Sequence, residues 1–147
     1  ECKIRYEKTM ENGMNKKVTE PYLVDALSFT EAEARIIEEM TPFISGEFTV
    51  SDIKRANYSE LFPCEEEAAD RWFKCKLVFI TLDEKSGAEK KTSTQVLVQA
   101  ADLRDAVKKL DEGMKGTMAD YQIASVAETA IMDVYPYSAE PDDKPEV

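Results

Sequence analysis

The chain contains no histidine. That absence removes histidine-dependent triads, the commonest general base and most zinc sites together. Glycine is scarce, with five in 147 residues. None of the five builds a glycine-rich phosphate loop behind an expected strand, which argues against nucleotide-binding α/β folds. No apolar run approaches the ~18 residues needed to cross a bilayer. Cysteine is limited to three, an odd count that does not suggest a disulfide framework. Cys2 and Cys75 stand among hydrophobic strand residues and read as small core side chains of a reducing compartment. Cys64 falls in a connector, a free thiol with nothing in its local sequence to activate it.

Positive charge is also in short supply. Nineteen basic residues face thirty acidic ones, for a net charge of −11. Such a chain repels phosphate backbones and anionic membrane faces, so direct binding to nucleic acid is disfavoured. The plain reading of the acidity is solubility. The sharper one is an acidic inhibitor that mimics nucleic acid and occupies a basic surface on another protein, as in conflict between phage and host.

What is present is a unit written twice. Phe48 to Pro63 recurs without a gap as Tyr121 to Pro136, pairing Phe48 with Tyr121, Val50 with Ile123, Ile53 with Val126, Tyr58 with Ile131 and Phe62 with Tyr135. The same offset lays Cys2, Ile4 and Tyr6 over Cys75, Leu77 and Phe79. Leu23, Val24 and Ala26 meet Leu97, Val98 and Ala100 after a one-residue slip. The first strand lacks the aromatic start that Trp72 and Phe73 give its counterpart, and the chain opens on Glu1 without a methionine, so an upstream segment is expected to be missing.

Each copy reads as strand, strand, helix, strand. Cys2, Ile4 and Tyr6 alternate with charged residues, and Asn12-Gly13 supplies the reversal into a second strand over about 16–26. Thr30 and Glu33 form a capping box that predicts a helix from Glu31, with Ala32, Ile36, Ile37 and Met40 on one side. Ile53 breaks the alternation set by Phe48 and Val50, so a bulge is expected near Asp52 and again at Ser125–Val126. In the second copy, Phe73, Cys75, Leu77 and Phe79 mark one face of a strand and Val78, Ile80 and Leu82 the other. That hairpin is expected to be covered on both sides, near mid-sheet. Asp102 caps a helix striped by Leu103, Ala106, Val107, Leu110 and Met114, with Lys108, Lys109 and Lys115 placed for its dipole.

The expected fold is α+β: two tandem β-β-α-β repeats related by a pseudo-twofold axis, with two helices packed on one face of an antiparallel-rich sheet or of two such sheets. Residues 1–137 form one domain of two repeats, 2–63 and 74–136, joined by the connector 64–73. Residues 138–147, proline-rich and acidic, read as a disordered tail. A lone copy of roughly 60 residues has a marginal core, and doubling it buries the open face.

For chemistry there remain carboxylates, tyrosines, lysines and Cys64. Glu65, Glu66 and Glu67 are adjacent in the connector but lack calcium-loop spacing, so they read as solvated, with no metal and no cofactor. Where the copies disagree, Lys54-Arg55 becomes Ala127-Glu128. One reading is a salt bridge across the pseudo-axis. The other is a one-sided anion or partner contact centred on Arg55, with Tyr58 beside it. Tyr135 and Tyr137 precede the tail and either finish a core edge or fill a surface groove.

The runs Lys3-Ile-Arg-Tyr-Glu-Lys, Val18-Thr-Glu-Pro-Tyr-Leu-Val-Asp-Ala-Leu-Ser-Phe-Thr-Glu-Ala-Glu-Ala, Asp70-Arg-Trp-Phe-Lys and Ala130-Ile-Met-Asp-Val-Tyr carry a resemblance. On them the chain resembles, up to Tyr137, a family of uncharacterised proteins of Bacteroidetes that carry a domain of unknown function. The resemblance implies a small bacterial cytoplasmic protein, also carried by phages of those hosts, and brings no catalytic residue or cofactor. The function expected is a non-catalytic binding or protein-interaction module, a monomer or homodimer, that holds a protein partner or small ligand in a groove along the pseudo-axis. Arg55, Tyr58 and Tyr135 are its candidate contacts. A carboxylate- or Cys64-dependent enzyme is the remaining alternative.

Overall fold

The computed structural model describes residues 1–117 and 120–136. Tyr137 and the tail expected over 138–147 lie outside the described residues. Ten elements follow in order: β1 (Cys2–Thr9), β2 (Asn15–Val24), α1 (Phe29–Met40), β3 (Phe48–Ile53), β4 (Glu60–Phe62), β5 (Arg71–Leu82), β6 (Glu89–Ala100), α2 (Leu103–Gly113), β7 (Asp120–Glu128) and β8 (Val134–Tyr135). They form an α+β protein with two four-stranded sheets, ordered β3-β1-β2-β8 and β4-β6-β5-β7. The chain divides into two compact units, Glu1–Ala56 with the described residues from Ile131 onward, and Asn57–Ala130. The boundaries 2–63 and 74–136 read from the sequence differ from these units. Residues 57–63 fold with the second, and 131–136 with the first.

Local chemistry explains most of the first unit. Gly13 takes φ +84, the left-handed conformation that the β1–β2 reversal needs, and β1 pairs antiparallel with β2 from Cys2↔Tyr22 to Thr9↔Asn15. β1 pairs antiparallel with β3 on its other side, and the register shifts so that Ser51 is the extra residue, the bulge expected beside Asp52. Cys2 and Ile4 point to the core and meet Ala32, Ile36 and Met40 of α1, with Val24, Val50 and Tyr135 packed at the margins.

The helix begins earlier than expected. Ser28, not Thr30, is the N-cap, accepting from the Glu31 amide at 3.1 Å, while the Glu31 carboxylate accepts from the Leu27 amide at 3.1 Å. Two overlapping capping patterns stand in this sequence, Ser28…Glu31 and Thr30…Glu33. The upstream one adds intrahelical hydrogen bonds to the same buried stripe. Ile37 is largely exposed because that stripe runs through Ala32, Ile36 and Met40.

In the second unit β5 lies between β6 and β7, at mid-sheet as expected, but its second face is buried only at Trp72, with Lys74 and Lys76 exposed and Val78 and Ile80 half-buried. Trp72 and Phe73 are both buried at its start, whereas Leu82, 68% exposed, has run past the covered part of the sheet. Ala124 is the extra residue in the β5–β7 register, the counterpart of Ser51. Cys75, Leu77, Val96 and Val98 pack with Leu110 of α2, and Phe73 and Ala100 with Ala106. Asp102 caps α2 as expected, accepting from the Asp105 amide at 2.8 Å. Leu103 is half-exposed at the first turn, outside the buried stripe. The lysines do not serve the helix dipole, since the last turn carries no basic residue.

β4 and β8 are short and pair parallel, each beside a strand remote in sequence. Leu61↔Leu97 and Phe62↔Val98 join β4 to β6; Leu23↔Val134 and Val24↔Tyr135 join β8 to β2. Gly113 allows β4 to lie close, because a Cβ there would meet the Phe62 ring at 2.9 Å. Gly113→Val is therefore expected to cost about 1–3 kcal/mol through overpacking, read as a lowered Tm. Gly46→Ala, where an added Cβ meets nothing within 4 Å, is the control expected to leave Tm nearly unchanged.

Candidate functional site

One end of the first sheet opens into a cleft of about 380 Å³. Its walls come from the C-terminal end of β2, the turn Asp25–Ser28, the first turn of α1 and the residues after β3. Leu23, Val24, Ala26, Phe29 and Ile53 give it apolar surface, and the polar part of the lining carries Glu1 and Asp25 beside the cations Lys54 and Arg55. The β1–β3 ladder places the cations, since the Lys54 amide donates to the Glu1 carbonyl at 2.8 Å and carries the pairing one step past Ile53. Leu27 and Phe29 beside it are 83% and 59% exposed. A broader, more open depression of about 850 Å³ runs over Arg5, Glu7, Lys17 and Glu47, side chains of both signs.

Arg55 thus stands where an anion could reach it. Neither Lys54 nor Arg55 forms a side-chain ion pair among the described residues, although the protein carries an excess of acid. The salt bridge weighed for Glu128 takes another form, for its carboxylate lies 3.7 Å from the Arg71 guanidinium within the second unit. Tyr135 belongs to the same unit as Arg55, on β8, where it stacks on Tyr22 with ring centroids 6.3 Å apart and packs on the core. It finishes a core edge. Tyr58 is half-buried and falls in the second unit, so the structure assigns it no place in this cleft.

Cys2 lines the cleft, but burial pushes its thiol pKa up, as it does more strongly for Cys75, to about 11. Both are packing residues. Among the described residues no group of three or more Cys, Asp or Glu side chains is arranged to hold a metal ion.

A second cluster, in the second unit, escaped the sequence reading. Cys64 follows β4, and its amide donates to the Gln99 side-chain oxygen of β6 at 2.9 Å. Its thiol donates to Glu66 Oε1 at 3.3 Å. The Lys109 ammonium of α2 lies 2.9 Å from the same Glu66 oxygen and 2.8 Å from Asp105 Oδ2. Hydrogen bonds to Asp105 and Glu66, outweighing desolvation, raise the Lys109 pKa. A hydrogen bond from Lys109 lowers that of Glu66, and one from the Ala101 amide lowers that of Asp105. Only the i, i+4 spacing of Asp105 and Lys109 was visible in sequence; the approach of α2 to the connector was not.

The geometry defines an α+β protein with a cleft of mixed lining that carries Lys54 and Arg55 in one unit, and a cluster of Cys64, Glu66, Asp105 and Lys109 in the other. No helix among the described residues is long and apolar enough to cross a membrane. The chain belongs to the family described as Domain of unknown function (DUF4494), whose model matches residues 1–137. Searches of curated proteins and of solved structures found no match.

Proposed function

We propose that the protein is a non-catalytic binding module of a bacterial cytoplasm, whose cleft takes a small anionic molecule with an apolar body. The carrying observation is Arg55, a guanidinium without an ion pair among the described residues, lining together with Lys54 a cleft that also offers apolar surface from Leu23, Val24, Phe29 and Ile53. An anion there gains charge-assisted hydrogen bonds while its body leaves water, the combination usual in small-molecule sites. The module is built from two tandem β-β-α-β repeats related by a pseudo-twofold axis, each extended by a short final strand exchanged with the other. Supporting this, the sheets run β3-β1-β2-β8 and, reversed, β7-β5-β6-β4, each with its helix on one face and its bulge at the matching residue, Ser51 or Ala124. Only the first copy keeps cations at the end of its third strand, so the site is one-sided.

Fluorescence titration with anilinonaphthalene sulfonate, an anion on an aromatic body, tests the site, followed by a thermal-shift screen of carboxylate-bearing metabolites. Saturable binding is expected, with the Lys54→Ala/Arg55→Ala double variant weakening it roughly tenfold or more. A true ligand at a hundred times its Kd stabilises by ~2.7 kcal/mol. Equal affinity of the parent and the double variant would remove the cleft from consideration.

A further inference from the structure

The last described residue, Pro136, is held beside the cleft of the first unit. The Tyr135 carbonyl accepts from the Asp25 amide at 3.0 Å, and the Arg35 guanidinium donates to the Asp25 carbonyl at 2.7 Å and to the Pro136 carbonyl at 3.3 Å. Asp25 lines the cleft, so one side chain ties a cleft wall to the point from which residues 137–147 depart. Those residues lie outside the described ones, and their sequence is Tyr137-Ser-Ala-Glu-Pro-Asp-Asp-Lys-Pro-Glu-Val. An aromatic ring is followed by four carboxylates, Glu140, Asp142, Asp143 and Glu146, against the single cation Lys144. The cleft presents the complement. Leu27 and Phe29 line it largely exposed, and Lys54 and Arg55 line it with no ion pair among the described residues, not even to its own Glu1 and Asp25.

We propose that the acidic segment after Pro136 is the cleft's own occupant, with Tyr137 on the apolar surface of Leu27 and Phe29 and the acids from Glu140 to Asp143 on Lys54 and Arg55. The inference rests on the reading of the cleft as an anion site and names one such anion within this chain. Reach is sufficient, since Asp142 follows Pro136 by six residues and so many span up to about 20 Å when extended. A carboxylate on so short a tether has an effective concentration in the millimolar range, so pairs too weak to hold a free peptide hold this one. Cations stand at the end of the third strand only in the unit that β8 joins; in the other unit Ala127-Glu128 take their place. An external anion must displace the segment, and its apparent affinity falls with the fraction of clefts already filled.

The test joins contacting amines and carboxylates of the full chain with a zero-length carbodiimide and reads the linked peptides by mass spectrometry, on an equal mixture of ordinary and nitrogen-15-labelled protein. Links from Lys54 to Glu140, Asp142 or Asp143 are expected within single copies, fading at about 1 M salt, where screening shortens to ~3 Å. Lys54 without such links, or with links only between copies, would overturn the proposal, the latter in favour of a second copy. Dye titration supplies the other arm. The full chain carrying Glu140→Gln, Asp142→Asn, Asp143→Asn and Glu146→Gln is expected to bind anilinonaphthalene sulfonate roughly threefold or more tighter than the parent, since its segment no longer competes. Equal, saturable binding by both chains would leave the cleft to a free anion and defeat the occupant. Binding by neither would instead defeat the small-molecule reading, and the cross-links would then decide for or against the segment by themselves.

Discussion

Tyr135→Ala is expected to loosen the first unit, although Tyr135 lies near the opposite end of the chain from that unit's other strands. Its ring stacks on Tyr22 at 6.3 Å and packs on the core of Cys2, Ile4 and Ile36. Its carbonyl accepts from the Asp25 amide at 3.0 Å, as that of Asp133 does from Leu23 at 3.0 Å. Truncating such an aromatic costs about 3 kcal/mol or more, and for a unit of this size each kcal/mol lowers Tm by roughly 4–8 °C. Hydrogen exchange gives the more specific reading. Amides of Leu23 and Asp25 should lose protection while those along the β5–β6 ladder keep theirs. The reverse pattern, with loss confined to Asn57–Ala130, would mean that β8 does not belong to the sheet of β1 to β3.

The first unit is also expected to lose stability in strong alkali. Tyr6 and Tyr22 both donate to Glu20 Oε1, at 3.0 and 3.3 Å. Burial, reinforced by the Glu20 carboxylate, raises the pKa of both phenols. Tyr135 is pushed up to about 12, mainly by burial and then by Asp133 and Glu39. A phenol whose folded pKa exceeds its unfolded value keeps its proton in the native state while the unfolded chain releases it. Stability is therefore complete below pH ~10 and falls as pH climbs towards 12, by about 2 kcal/mol for Tyr135 alone. Tyrosinate absorbance at 295 nm, followed beside circular dichroism, should show some phenols ionising near pH 10 and others only as the first unit unfolds. Glu20→Gln should bring Tyr6 and Tyr22 down towards the first group. A single transition at pH 10 in the folded protein would refute the burial argument.

Several elements were legible because their causes are local. Asn12-Gly13 turns the first hairpin through a residue that tolerates positive φ, and Asp102 caps its own helix three residues on. The broken alternation at Ile53 and Val126 marks bulges at Ser51 and Ala124 because side-chain direction has a strict period of two. Ser28 shows where local rules end. Two caps satisfied the same pattern, and the packing of the whole helix selected between them.

The candidate sites divide in the same way. Arg55 was singled out because the two copies differ there, a comparison the sequence makes on itself. Tyr58, grouped with it by proximity in sequence, folds into the other unit. Lys109 could not be linked to Cys64 from the chain alone, since what joins them is the docking of α2 on its sheet.

Composition and periodicity alone determined the element types, the turns, the two buried thiols and the exclusion of histidine chemistry, because these depend on residues within a few positions of one another. Which sheet receives β4 and β8, and which side chains meet at the cleft and at Cys64, only the tertiary structure decided. A short parallel strand carries almost no signal of its own partner: Leu23 and Val134 are matched by the shape of a sheet edge and by hydrogen bonds any sequence can supply.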